Sequence, residues 1–210
     1  MRNTKLLTML EGAIIAVIAF VLSYVPLQTA NAALDLSLGL IPLGVYALRR
    51  GLGPGLAAGL IWGLLLILFG KAYILSLPQV ILEYPIAFAF GGFGGIFSGR
   101  LRKALSEKNQ ISIVLTVVFA GIAAAVARWF FHYWAGVIFW GSYAPEGMSP
   151  FLYSFIANGT SAAMNAAMLA IISAIMVLLK FRKEFARRPY TTLSEISDFM
   201  KVTAMRESSD

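Results

Sequence analysis

The sequence predicts an all-α integral membrane protein with six transmembrane helices and with both termini in the cytoplasm. Apolar residues make up 59% of its 210 residues and charged residues only 13%, whereas soluble domains average roughly 45–50% apolar and about 25% charged residues. Six apolar stretches are candidate membrane spans, although the second is short, and basic residues gather between alternate stretches. A soluble domain of this size could not bury so much apolar surface, so soluble classes of protein are excluded.

The elements follow from the apolar stretches, because a helix needs roughly 20 residues to cross about 30 Å of hydrocarbon. The six stretches cover approximately residues 6–25, 36–48, 52–69, 77–97, 111–140 and 150–179. The second and third are separated only by Arg49, Arg50 and Gly51. One long helix there would bury two arginines in hydrocarbon, which is costly, so a tight turn is predicted at residues 49–54.

Beyond the last stretch the composition changes, and the chain divides into a six-helix membrane domain, residues 1–180, and a charged cytoplasmic tail, residues 181–210. Residues 192–195 (Thr-Leu-Ser-Glu) match a capping box that would start a short helix. The alternative, which we favour, is a disordered tail or one that lies on the membrane surface.

The distribution of charge sets the orientation, because Lys and Arg concentrate on cytoplasmic loops. Of the 17 basic residues, all but Lys71 and Arg128 lie in the N-terminal segment, the second and fourth loops and the C-terminal segment. The loops at 28–35, 70–76 and 141–149 are therefore predicted to face the outside of the cell membrane. The net charge of +7 then reflects sidedness in a lipid bilayer and predicts no nucleic-acid partner.

Several kinds of chemistry are excluded by what the chain lacks. It has no Cys and one His, so it cannot form disulfides, thiolate metal sites or multi-histidine metal sites. No nucleophile is paired with a base, and the glycine-rich run at 91–95 lies inside a span, where it indicates close helix packing. We therefore predict no enzyme: no catalytic residues, no metal and no cofactor of the chain's own.

Glu83 is the acidic residue that solvation does not explain, because it lies inside the fourth stretch. A carboxylate at the centre of a membrane helix costs about 3 kcal/mol on insertion scales, and such a residue is functional by default. Pro85 follows closely and frees a backbone carbonyl, which would kink the helix and open a polar pocket. The structural alternative is an internal ion pair between Glu83 and Arg128.

The fifth stretch places Arg128, His132 and Gly136 at four-residue spacing, so the three share one helical face. Arg128 and His132 make this face polar and Gly136 leaves space beside it, so we expect the face to point into the bundle. The loop at 139–150 combines aromatic residues with Gly and Pro and is a candidate lid. Asn158, in the sixth stretch, would bind ligand or hold helices together.

The polar and aromatic candidates all map to the outer half of the predicted bundle. They are Glu83, Tyr84, His132, Trp140, Tyr153 and Asn158. One carboxylate with several aromatic faces suits a small aromatic cation, because aromatic faces attract cations and a carboxylate adds Coulombic attraction.

A stripe of small residues marks the first helix, where Gly12 and Ala16 are four residues apart. Small residues at this spacing allow another helix to approach closely. The two interpretations are packing within the bundle and docking to a partner protein in the membrane.

Three runs resemble the thiamine-specific substrate-binding (S) component of energy-coupling factor (ECF) vitamin transporters. They are residues 82–85 (Leu-Glu-Tyr-Pro), 127–132 (Ala-Arg-Trp-Phe-Phe-His) and 136–147, a long loop motif that reads GVIFWGSYAPEG. Tyr153 and Asn158 continue the likeness, which extends over roughly residues 5 to 180.

The resemblance implies a six-helix subunit that captures thiamine outside the cell and has no ATPase of its own. A membrane-embedded coupling (T) subunit and two cytoplasmic ATPase subunits would power uptake, with Gly12 and Ala16 on the docking face. The implied roles are as follows: Glu83 hydrogen-bonds the aminopyrimidine ring, Trp140 and His132 flank the thiazolium ring, and Tyr84, Tyr153, Asn158, Tyr73 and Gly136 complete the pocket.

One departure and several alternatives accompany this expectation. The family can cover bound vitamin with a tryptophan of the first outer loop, and residues 28–35 contain none. The alternative functions are an S component for a related aminopyrimidine or vitamin, a self-sufficient small-cation transporter, and a membrane enzyme that uses Glu83 and His132 as acid and base.

Overall fold

The computed structural model describes residues 4–25, 27 and 35–186, and every regular element within them is a helix. The all-helical class is therefore confirmed. By internal contacts the chain separates into two compact units, Met1–Ala174 and Ile175–Asp210. The described part of the second unit is the helical run 175–186. Most of the predicted tail, including the capping box at 192–195, lies outside the described residues.

Eight α-helices follow one another along the chain. They are α1 (Thr4–Leu22), α2 (Leu40–Arg50), α3 (Leu52–Leu68), α4 (Leu77–Ile81), α5 (Ala87–Phe90), α6 (Ser98–Ser106), α7 (Gln110–Phe139) and α8 (Pro150–Ala186). A π-helical turn, Leu82–Ile86, joins α4 to α5, and a 3₁₀ turn, Phe93–Phe97, precedes α6. These pieces together form one helical stretch, Leu77–Ser106, which we call the fourth segment.

Four stretches of the described residues are long and apolar enough to cross a membrane: Lys5–Leu22, Leu77–Ser106, Gln110–Phe139 and Pro150–Ile172. Helix α3 is apolar but shorter, and α2 has 11 residues. Each predicted stretch thus coincides with a helical segment, although the fourth continues past its predicted end at residue 97. Large apolar side chains such as Met9, Ile14 and Ile111 are exposed on these helices, as a lipid environment permits.

A single glycine separates α2 from α3. Gly51 has φ of 99°, a conformation that glycine adopts without the penalty of a Cβ, and its N–H still closes α2 by donating to the Ala47 carbonyl at 2.7 Å. Pro54 lies in the first turn of α3, where the missing N–H would have had no partner in any case. The tight turn predicted at residues 49–54 is confirmed.

The core gathers where α1, α2, α3 and the fourth segment meet. Its buried side chains include Ala19, Leu43, Trp62 and Phe88. Trp62 is 1% exposed, packs edge-on against Phe88 with ring centroids 4.6 Å apart, and donates from Nε1 to Ser23 Oγ at 3.0 Å. Trp62 and Phe88 belong to this core and also line the cavity described below.

Gly12 and Ala16 are buried within the chain, which favours packing within the bundle; their place on a docking face for a partner stays a prediction. Ala16 is fully buried within the chain, and a Cβ on Gly12 would lie 2.7 Å from the Tyr46 hydroxyl. That hydroxyl donates to the Thr8 carbonyl at 2.7 Å, which fastens α2 against α1. The small-residue stripe therefore serves packing within the bundle, because α2 occupies the approach that the stripe allows.

Candidate functional site

A cavity of about 650 Å³ opens where α1, α3 and α7 end and where α2, the fourth segment and α8 begin. Its volume falls within the roughly 300–1,000 Å³ that small-molecule pockets occupy. All eight residues predicted to bind substrate line this cavity: Tyr73, Glu83, Tyr84, His132, Gly136, Trp140, Tyr153 and Asn158. Sequence positions 73 to 158 thus converge on one space.

Glu83 reaches the cavity from the π-helical turn. Pro85 lies inside that turn, and its missing N–H and bulky ring are incompatible with a regular helix; a π bulge is a common form of such a break at functional sites. Trp140 Nε1 donates to Glu83 Oε1 at 2.6 Å, and Gln79 Nε2 donates to Oε2. The irregularity expected at Pro85 takes the form of this π-helical turn, and the carboxylate is held by neutral donors rather than by Arg128.

Gln79 ties this carboxylate to the loop before it. The side chain is fully buried; its Oε1 accepts from Leu75 N at 2.9 Å and its Nε2 donates to the Tyr73 carbonyl at 3.2 Å. Tyr84 completes the arrangement, because its hydroxyl accepts from Tyr73 N at 2.8 Å. The loop and the carboxylate therefore form one hydrogen-bonded unit.

Aromatic rings form the wall beside Glu83. Trp140 packs against Tyr73 and Tyr143 with ring centroids 5.3 Å and 5.6 Å apart. The short 3₁₀ turn Gly141–Tyr143 places Tyr143 there. This part of the candidate lid loop thus lies at the cavity, and its rings offer flat faces to a planar ligand.

Arg128 and His132 line the deeper part of the cavity. The guanidinium lies 4.4 Å from the Phe88 ring centroid, and its Nη2 is 3.7 Å from Asp35 Oδ2. The His132 ring packs edge-on to Phe88 at 6.2 Å, and its Nε2 is buried without a hydrogen-bond partner among the described residues. The inward orientation of the face that carries Arg128, His132 and Gly136 is confirmed.

Gly136 permits the contact between α7 and α8 at the cavity. A Cβ there would meet Ser154 Oγ and lie 2.8 Å from Asn158 Nδ2. Ser154 donates to the Tyr133 carbonyl at 2.7 Å, and Asn158 donates to Ser154 at 3.1 Å. Ser154 therefore joins α8 to α7, whereas Asn158 bonds within α8 and lines the cavity, and its binding of ligand stays a prediction.

The arrangement is suited to binding a flat, positively charged heteroaromatic molecule. A carboxylate has roughly four acceptor sites, and the two donors on Glu83 leave acceptor capacity for a ligand. The aromatic faces add cation–π attraction. Within the part of the chain that the structure describes, no group of three or more His, Asp or Glu residues could hold a metal ion.

A family model described as "Thiamine transporter protein (Thia_YuaJ)" matches residues 9–186, which is most of the chain. The chain belongs to this thiamine transporter family.

Two curated relatives and one solved structure agree with this assignment. "Thiamine transporter ThiT" of Lacticaseibacillus paracasei is 42% identical over 182 residues, 84% of this chain and 89% of the relative. The ThiT of Bacillus subtilis is 28% identical over 179 residues, 84% of this chain and 93% of the relative. A structure of ThiT from Listeria monocytogenes superposes with a TM-score of 0.81 at 41% identity, covering 86% of this chain and 98% of that chain.

As a member of the thiamine transporter family, the chain is a multi-pass membrane protein whose role is transport rather than catalysis. The resemblance of the three runs at 82–85, 127–132 and 136–147 is confirmed at the level of the family. The membrane enzyme with Glu83 and His132 as acid and base is set aside, because the relatives are named as transporters.

Two site residues of this family member were missed by sequence reasoning. Gln79 lies four residues before Glu83, on the same helical face, and this spacing would have indicated a contact. Asp35 pairs with Arg128, and nothing in the sequence indicates this pairing, since 93 positions separate the two residues. Such long-range pairs depend on the fold.

Proposed function

We propose that the cavity binds thiamine for uptake into the cell. The observation that carries this proposal is the convergence of the eight expected residues on one cavity in a member of the thiamine transporter family. Thiamine combines an aminopyrimidine, which offers hydrogen-bond donors, with a cationic thiazolium ring. A carboxylate beside aromatic walls complements both features.

The proposed roles follow the position of each side chain around the cavity. Glu83 accepts hydrogen bonds from the aminopyrimidine, while Gln79 and Trp140 donate to the same carboxylate and hold it in place. Trp140 and His132 flank the thiazolium. The remaining residues, Tyr73, Tyr84, Gly136, Tyr153 and Asn158, complete the pocket.

A thiamine titration of the purified protein tests this function. We expect quenching of tryptophan fluorescence at micromolar thiamine. Glu83→Gln removes the carboxylate charge and should weaken binding at least tenfold, which corresponds to about 1.4 kcal/mol. Trp140→Ala should also weaken thiamine binding at least tenfold, measured by calorimetry, because it removes both an aromatic face and a donor to Glu83. Thiamine that leaves the wild-type signal unchanged would contradict the proposal.

Matched controls lie outside the cavity. Glu107→Gln removes an exposed carboxylate that directly follows the last residue of the fourth segment. Trp134→Ala removes a partly exposed indole that does not line the cavity. Both should keep wild-type affinity. Competition by hydroxymethylpyrimidine separates thiamine from the alternative, a related aminopyrimidine: a competitor that binds more tightly than thiamine would favour that alternative.

We further propose six transmembrane helices, with both termini in the cytoplasm and the cavity open to the outside of the plasma membrane. The described cations at the end opposite the cavity support this orientation under the positive-inside rule. They include Arg49, Arg50, Arg100, Arg102, Lys103 and Lys108. Residues 1–180 would form the membrane domain and residues 181–210 a cytoplasmic tail.

The energy for uptake is proposed to come from partners. The resemblance to S components suggests an ECF-type assembly in which a coupling (T) subunit and two ATPase subunits use ATP. Thiamine uptake into vesicles that carry the chain alone decides the matter: no accumulation is expected, whereas accumulation driven by an ion gradient would indicate a self-sufficient transporter.

A further inference from the structure

Arg128 is neutralised inside the cavity by a residue that lies far away in the sequence. Its side chain is 8% exposed, and its Nη2 lies 3.7 Å from Asp35 Oδ2. Arg128 Nη1 donates to Ser37 Oγ at 2.9 Å, and Ser37 Oγ donates to the same Asp35 oxygen at 2.7 Å. The guanidinium and the carboxylate are thus linked both directly and through a hydroxyl.

The backbone around Asp35 is fixed independently of this charge pair. Asn165 Nδ2 donates to the Asp35 carbonyl at 2.7 Å, and Asp35 N donates to Ser161 Oγ at 3.1 Å. Ser37 N donates to Asn165 Oδ1 at 2.9 Å. Because helix α8 holds residues 35–37 by these main-chain contacts, the carboxylate can be removed while its segment stays in place.

The charges along the cavity then determine which ligands it favours. The charged side chains that line it in the described part of the chain are Asp35, Lys71, Glu83 and Arg128. Lys71 is exposed and lies over the Tyr24 ring. The charges of Arg128 and Asp35 cancel, whereas Glu83 has no ionic partner among the described contacts. The interior of the cavity therefore carries a net negative charge and favours a cation. Charge differences matter strongly in such a poorly solvated space.

Without Asp35, the charge of Arg128 would make the cavity favour an anion. A guanidinium presents several N–H donors in a geometry that suits phosphate oxygens, and Arg128 Nε is buried without a hydrogen-bond partner among the described residues. A phosphate ester would thus find a ready counter-ion in the cavity. The Asp35 carboxylate both neutralises that counter-ion and repels the phosphate.

We infer that Asp35 is a specificity-determining residue: by neutralising Arg128 it makes the cavity prefer the unphosphorylated, cationic vitamin over its phosphate monoester. This inference rests on the proposed binding of thiamine. It concerns the ratio of two affinities rather than the existence of binding.

The test measures the dissociation constants of thiamine and thiamine monophosphate for the full chain in detergent. Wild-type protein should bind thiamine more tightly. Asp35→Asn, which preserves shape and the main-chain contacts, should reduce this preference at least tenfold. Glu107→Gln removes one negative charge from an exposed residue that lies far from the cavity, and it should leave the preference unchanged.

Arg128→Gln provides the opposite arm. It leaves the Asp35 carboxylate without its cation, so the preference for thiamine should increase, and this change of sign is not expected from mere loss of folding. Should Asp35→Asn fail to fold, this arm decides alone. An unchanged or reversed response overturns the inference, as does an equal loss of affinity for both ligands. If the wild type binds neither ligand, the proposed function fails instead.

Discussion

The neutral side chain of Gln79 holds both Glu83 and the neighbouring loop in place. It joins Glu83 to the loop at 73–75 through one amide group. Gln79→Leu keeps the size but removes every one of these hydrogen bonds. We expect thiamine affinity to fall at least tenfold, or about 1.4 kcal/mol, because Glu83 loses a donor and the loop loses its attachment. Calorimetric titration measures the change.

The control for this substitution is Gln110→Leu, at the exposed start of α7, which should bind like the wild type. Thermal unfolding is followed in parallel, since unsatisfied buried groups cost roughly 1–3 kcal/mol of stability each. Reduced stability with wild-type affinity would show that Gln79 supports the fold without positioning Glu83.

At the scale of single residues, the sequence identified groups by their cost in a membrane. Glu83 and His132 stood out because apolar surroundings make such groups expensive, and both line the cavity. Their partners could not be found in the same way. The ion pair of Arg128 with Asp35 depends on how α7 meets the segment before α2, and one sequence contains no distance information of that kind.

At the scale of elements, glycines of α3 determine where Glu83 can lie. Gly55, Gly59 and Gly63 are four residues apart and press their Cα atoms against the backbone of the fourth segment. A Cβ on Gly63 would meet the Tyr84 carbonyl and lie 3.0 Å from Pro85 N. The π-helical turn that presents Glu83 is therefore seated directly on α3.

Gly63→Ala should displace this turn and weaken thiamine binding at least tenfold, since overpacking typically forces backbone shifts that cost about 1–3 kcal/mol. Gly55→Ala is the matched control, because its Cβ would lie 2.8 Å from the Gly92 carbonyl, two turns away from Glu83. Both variants should lose thermal stability, but only Gly63→Ala should also lose affinity for thiamine. Equal losses of affinity would remove the special role of Gly63.

The positions of elements were largely predictable, whereas the neighbours of each element were not. Apolar length located every helical segment, and Gly51 and Pro85 marked the turn and the irregular helix. The stripe of Gly12 and Ala16 shows the limit. Small residues indicate that something packs closely, but only the fold reveals that the occupant is α2 of the same chain.

For the whole molecule, the separation of charge from the cavity predicts its sidedness, because the positive-inside rule places the basic end in the cytoplasm. The chain has no Cys, so single cysteines report position without background. Glu146 lies in the exposed loop after α7, and Glu107 is exposed just after α6, beside the basic residues. In intact cells a membrane-impermeant maleimide should label Glu146→Cys and spare Glu107→Cys, whereas permeabilised cells should show both. The reverse pattern in intact cells would place the cavity in the cytoplasm, which is incompatible with capture of thiamine from outside.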